Sequence, residues 1–267
     1  FYDSYPAVVA MAGGKVEVTT LRPPEFRLDL DHLRSLVGPR TRCILVNTPH
    51  NPTGRVFTRE ELEGIARLCR DHDLVCFSDE VYERLVFEGR HESIATLPGM
   101  RERTIVLSSL GKTYSLTGWK VGWAIAPPAL TACVRAAHQF LTFAAATPLQ
   151  VGAAAALASP PEYDRAFLAE YRDRRDLMVE GLLDVGFDVF VPQGTYFVMA
   201  DHRPFGFDDD VAFARHLVRD IGVAAIPPSS FYRTPSEGRS LVRFAFCKRE
   251  STLRDALARL RRLVPTR

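Results

Sequence analysis

Three short runs of almost unbroken apolar residues constrain this chain most: "RCILVN" at residues 42–47, "LVCFSD" at 74–79 and "TIVLSS" at 104–109. A strand with one wet face alternates apolar and polar residues, so runs like these predict strands buried on both faces, as in a parallel sheet. Between the first two runs lies "TREELEGIARLCRDHD", which opens on Thr58 with Glu61 three places later and carries Leu62, Ile65, Ala66 and Cys69 at helical spacing. That is the spacing of a capping box followed by an amphipathic helix. "KVEVTTL" (15–21) and "VGWAIAP" (121–127) also read as strands, and "DLDHLRSLV" (29–37) as a short helix capped by an aspartate. Strands separated by helices imply an α/β fold, a mostly parallel sheet sandwiched by helices.

Beyond about residue 128 the pattern turns helical, through "ALTACVRAAHQFLTF" and a long amphipathic run from Glu162 to Val185. "FDVFVP", "TYFVMAD", "VAAIPPSSF" and "LVRFAF" follow as expected strands, with helices at "DDVAFARHLVRDI" and "STLRDALARLRRLV". The expected organisation is a large domain over residues 1–160 and a smaller C-terminal α/β domain over 161–267, joined by the long helix. The most apolar region, "FLTFAAATPLQVGAAAALA", is broken by Pro148 and rich in alanine, which reads as buried helices rather than a membrane span.

The formal net charge of +2 offers no field to attract nucleic acid or an anionic membrane, so the expected partners are small molecules or a second copy of the chain. The five cysteines form no C-x-x-C pair and the seven histidines no H-x-x-x-H pattern. Reduced thiols, a cytoplasmic setting and no metal are the expectation. The chain opens on Phe1 rather than methionine, and it reads as one entered partway through a domain.

The segment "LSSLGKTYSLTGWKVGW" contains a Gly-Lys-Thr, but a phosphate-wrapping P-loop needs a glycine five places earlier, where Val106 stands. Lys112 therefore needs another explanation. In open α/β sheets, ligands collect at the carboxyl ends of the strands. Asn51 follows the first run, Asp79 and Tyr82 the second, and Ser109 and Lys112 the third. Singly, each has an ordinary use: a turn amide, a helix cap, a packed ring, a surface charge. Together they suit pyridoxal phosphate, whose aldehyde condenses with an amine and whose ring draws electrons from the substrate α-carbon. Asp79 would keep the ring nitrogen protonated, and Asn51 and Tyr82 would hydrogen-bond the ring oxygen.

"NTPHNPTG", "SDEVYERLVF", "SSLGKTYSLTGWKVGW" and "LVRFAFCK" resemble, in that order, the fold-type I, class I/II aminotransferases, in the branch of the kynurenine, glutamine and methionine enzymes. The resemblance runs almost end to end. It implies a homodimeric, pyridoxal 5'-phosphate-dependent enzyme that transfers an amino group from an L-amino acid to a 2-oxo acid by a ping-pong route. It makes Lys112 the Schiff-base lysine and proton shuttle, with Asp79 and Tyr82 beside it as catalytic residues. Ser109 and Lys120 become phosphate ligands, and Tyr2 the aromatic stacked on the ring. Arg243, with Asn51, becomes the grip on the substrate carboxylate, since a planar guanidinium matches a carboxylate with two parallel N–H bonds. About a hundred upstream residues usual in the family, including a phosphate-binding loop, do not occur in this sequence.

The resemblance also allows a cysteine-conjugate β-lyase, an N-succinyldiaminopimelate aminotransferase, or a non-catalytic regulator domain of the same fold. The first two share the α-carbanion chemistry of the leading reading. The third would carry a DNA-binding segment upstream.

Overall fold

The computed structural model describes residues 1–266. In chain order its elements begin with helices α1 (Ser4–Met11) and α2 (Leu30–Leu36), strand β1 (Cys43–Asn47), α3 (Arg59–Asp71), β2 (Val75–Asp79), β3 (Thr104–Ser109), α4 (Leu110–Thr113) and β4 (Gly122–Ile125). They continue with α5 (Pro128–Leu141), α6 (Thr147–Leu157), α7 (Pro161–Val185), β5 (Asp188–Phe190), β6 (Phe197–Asp201), α8 (Asp210–His216), β7 (Leu241–Ala245) and α9 (Glu250–Leu260). The chain divides into two compact units, one holding Leu30–Pro49 and Val56–Leu168, the other Phe1–Asp29, His50–Arg55 and the chain from Ala169 onward.

In the first unit four strands lie in the order β1-β2-β3-β4, parallel across the first two pairs and antiparallel across the last. The register pairs Asn47 with Asp79 and Asp79 with Leu107, so the carboxyl ends of β1, β2 and β3 come out at one edge of the sheet. Helix α3 makes the β1-to-β2 crossover. Its capping box is complete: the Glu61 amide donates to Thr58 Oγ1 at 3.2 Å and the Thr58 amide donates to Glu61 Oε2 at 2.9 Å. These bonds satisfy two amides that a helix start otherwise leaves open, which stabilises it by about 1 kcal/mol. Leu62, Ile65, Ala66 and Cys69 form its buried stripe, as their spacing predicts. Strand β1 departs from two-sided burial: Cys43 and Leu45, on one face of the sheet, are exposed, and Ile44 and Val46, on the other, are buried.

The second unit is built on an antiparallel sheet, β5-β6-β7, whose central strand is buried at every position. Phe187, Phe205, Phe213 and Phe244 fill the core with rings 4.5–6.0 Å apart.

Three further expectations are corrected. Residues 15–21 form no strand, since alternation makes a strand only where a neighbouring strand supplies hydrogen bonds. "VAAIPPSSF" contributes a single bridge, Ile226 to Arg243, because Pro227 and Pro228 have no N–H to continue a ladder. Residues 140–158 are helical where α5 ends and α6 runs, but they are not buried. Ala153 of α6 packs with Leu110 and Val121, whereas Phe140, Leu141 and Phe143 are 78–88% exposed. A helix buries the stripe that meets a neighbour, and apolar composition alone does not say where the neighbour lies.

Candidate active site

The carboxyl edge of the parallel strands carries most of the residues singled out from the sequence. Asp79 ends β2 and is half-buried. Its carbonyl accepts hydrogen bonds from Asn47 Nδ2 at 2.9 Å and from the Thr48 amide at 3.2 Å, which ties the ends of β1 and β2 together. Its Oδ1 accepts from the Val81 amide at 3.2 Å, the local turn bond expected of an aspartate at this point. Tyr82, one turn on, is buried, and Lys112 Nζ lies 5.6 Å from the centre of its ring. That distance lies within cation–π range. Sequence position alone could not show that the exits of β2 and β3 bring these two side chains together.

Lys112 stands in the short helix α4, directly after β3. Ser109 caps that helix, its Oγ accepting from the Gly111 amide at 3.2 Å. Leu110 is fully buried beside Val121 and Ala153, with Tyr114, Trp119 and Trp123 packed around them. Tyr163 donates from its hydroxyl to the Thr113 carbonyl at 2.9 Å and stacks on Tyr114 at 5.3 Å. The turn that presents the amine is thus held by apolar packing on one side and a hydrogen bond on the other. Lys120 is exposed and has a left-handed backbone, φ 54° and ψ 37°, which is rare for a residue with a Cβ.

The second unit carries Asn51, Arg243 and Tyr2. Asn51 sits in a turn closed by two backbone bonds of 2.8 Å, from the Gly54 amide to the His50 carbonyl and from the His50 amide to the Arg55 carbonyl. Burial first of all pushes the His50 imidazole down to about 3, so it is neutral at ordinary pH, and its Nδ1 pairs with Thr53 Oγ1 at 2.8 Å. Asn51 Oδ1 accepts from an Arg243 terminal nitrogen at 2.8 Å, although the two residues are 192 positions apart. Arg243 is the middle residue of β7, and it is the bridge partner of Ile226 on the other side. Tyr2 is 45% exposed, with its ring edge-on to Tyr5 at 5.7 Å. Tyr196 stacks on Tyr171 and meets Phe197 edge-on, a packing role.

Two features escaped the reading of the sequence. Glu80, next to Asp79, is a buried carboxylate that takes hydrogen bonds from Ser78 Oγ and Ser93 Oγ, each at 2.7 Å, and pairs with His91 Nε2 at 2.9 Å. Glu83 accepts from Ser108 Oγ at 3.1 Å, and burial holds its carboxyl above the usual range. An acid raised on folding costs nothing below its unfolded pKa, and its destabilising effect is complete only above the folded pKa. Glu83→Gln should therefore raise the melting temperature at pH 7 while leaving it nearly unchanged at pH 3.5. Thermal melts at the two pH values test this, and equal shifts would refute the burial argument.

A family model described as aminotransferase class I and II matches residues 1–260. Among solved structures, that of N-succinyldiaminopimelate aminotransferase from Mycobacterium tuberculosis superposes with a TM-score of 0.96 at 46% identity, over 99% of this chain and 70% of that one. The methionine aminotransferase of Escherichia coli is 40% identical over 98% of this chain and 68% of its own length. Human kynurenine–oxoglutarate transaminase 1 is 36% identical over 98% and 70%.

Proposed function

This chain belongs to the class I and II aminotransferases, pyridoxal-phosphate-dependent enzymes acting on amino acids and 2-oxo acids, and on that premise we propose roles for its residues and a substrate. The residues at the sheet edge suit the cofactor by their chemistry: an amine 5.6 Å from the centre of a phenol ring at the exits of adjacent strands, with a carboxylate ending one of those strands. When bound, the cofactor supplies an aldehyde that carries the amino group and a ring that withdraws electrons from the α-carbon. Lys112 Nζ would hold the aldehyde and would take the proton from the substrate α-carbon. Asp79 would hold the proton on the ring nitrogen. The Tyr82 hydroxyl and Asn51 amide would donate to the ring oxygen, Ser109 and Lys120 would hold the phosphate, and Tyr2 would face the ring. Arg243 and Asn51 orient the carboxylate that amino acid and 2-oxo acid share.

For the substrate we propose an N-succinylated diaminopimelate. The observation that supports it is the 46% identity, at a TM-score of 0.96, to the enzyme whose structure bears that name. The test is a donor panel of N-succinyldiaminopimelate, methionine and kynurenine with 2-oxoglutarate as acceptor. Highest kcat/KM with the succinylated donor supports the proposal, and preference for methionine or kynurenine overturns it. Release of pyruvate and ammonia from a cysteine conjugate, without amino transfer, would reveal a β-lyase instead.

Asp79→Ala should slow the half-reaction with the amino donor by about 100-fold or more, as loss of one preorganised charge at a reacting group does. Stopped-flow absorbance reads it, and an unchanged rate would remove Asp79 from the mechanism. The proposal extends to a homodimer in the cytoplasm, organised as a large domain to about residue 160 and a smaller one beyond. Sedimentation velocity tests the dimer. Among the described residues no helix is long and apolar enough to cross a membrane.

A further inference from the structure

The surroundings of Arg243 carry more than the grip on a carboxylate. Two rings meet its guanidinium, Phe197 with its centre 4.2 Å from Cζ and Phe231 with its centre 4.6 Å away. They come from the two segments that flank β7. Phe197 lies on β6, whose register pairs Met199 with Arg243 and Phe197 with Ala245, so its side chain shares a face of the sheet with that of Arg243. Phe231 ends the short 3₁₀ turn Pro228–Phe231, five residues after Ile226, which exchanges both backbone hydrogen bonds with Arg243 at 3.0 Å. Both rings are buried.

We propose that Phe197 and Phe231 are positioning residues for carboxylate recognition, holding the Arg243 guanidinium in the plane in which its edge can meet the substrate. The inference rests on the proposed role of Arg243. An arginine side chain has many rotamers, and freezing them when substrate arrives weakens binding. The strand fixes its backbone, Asn51 Oδ1 fixes one terminal nitrogen, and the rings fix the plane by dispersion and by attraction of the cation to their π-faces. The rings also exclude water from the charge, which strengthens a hydrogen bond to an incoming anion. A lysine would gain less from this arrangement, because an ammonium has no plane to hold.

The test compares Phe231→Leu, Phe197→Leu and Phe231→Tyr holoenzymes with Arg243→Lys, using the best donor of the panel and 2-oxoglutarate. Loss of either ring should raise KM for donor and acceptor alike, about three- to thirty-fold, with kcat changed less than about two-fold. The absorbance maximum of the bound cofactor should stay where it is, and Phe231→Tyr, which keeps the ring face, should restore KM. In the Arg243→Lys background, Phe231→Leu should add a smaller increase than in the parent enzyme, since the rings act chiefly through the guanidinium. Should Phe197→Leu unfold, the Phe231 variants alone decide. If Arg243→Lys raises KM and Phe231→Leu does not, or if the two effects simply multiply, the rings are core packing and the inference falls. If Arg243→Lys itself leaves both KM values unchanged, the carboxylate role of Arg243 falls with it.

Discussion

Replacing Lys112 with alanine should abolish the visible absorbance that a lysine-bound cofactor gives and lower amino transfer by about 1,000-fold or more. The size follows from losing two functions together, the covalent anchor and the base that removes the α-proton, the second alone accounting for about 10²–10⁴ in rate. Alanine is a clean replacement here. It favours helix, Lys112 is only half-buried, and the turn is secured by Leu110, Ser109 and the Tyr163-to-Thr113 bond rather than by the lysine. Circular dichroism and melting temperature of the cofactor-free variant should therefore match those of the cofactor-free parent protein. A variant that kept both the band and turnover would remove Lys112 from the chemistry, and the roles proposed for its neighbours along with it.

Gly54→Ala should destabilise the protein by about 2–5 kcal/mol, the sum of a left-handed backbone with a Cβ and an overpacked contact. Gly54 has φ +71°, and an added Cβ would stand 2.3 Å from Pro192 Cβ and 2.9 Å from the Gly194 carbonyl oxygen. Neither neighbour can retreat freely, because the Gly194 amide donates to the Gly54 carbonyl at 2.7 Å. The same turn positions Asn51, so KM for carboxylate substrates should rise alongside the loss of stability. Urea titration gives the free energy, and a change under about 0.5 kcal/mol would show that the close approach does not hold in solution.

Much of the sheet-edge chemistry was legible in the chain because it is local. Asp79, Ser109 and Lys112 are recognisable from a strand followed within a few residues by a polar group, and the α3 cap from Thr58 and Glu61 three places apart. The Glu80 network resisted such a reading, since it draws on Ser78, His91 and Ser93, and nothing in their spacing announces a shared carboxylate. The faces of α5 and α6 resisted it for a related reason: their apolar residues look alike in sequence whether or not anything covers them. Pro227 and Pro228 argue against a ladder, but the apolar residues around them carry the opposite signal.

By itself the sequence determined the periods of its helices and strands, their order, the cap of α3 and the chemical kinds of group at the strand exits. These depend on residues within a turn or two of each other, where backbone geometry leaves few choices. Only the tertiary structure decided that Lys112 lies by Tyr82, that Arg243 meets Asn51 across 192 positions, and that Phe197 and Phe231 close on the same guanidinium. Such pairings are chosen by strand register and by the burial of whole surfaces, which no short stretch of chain encodes.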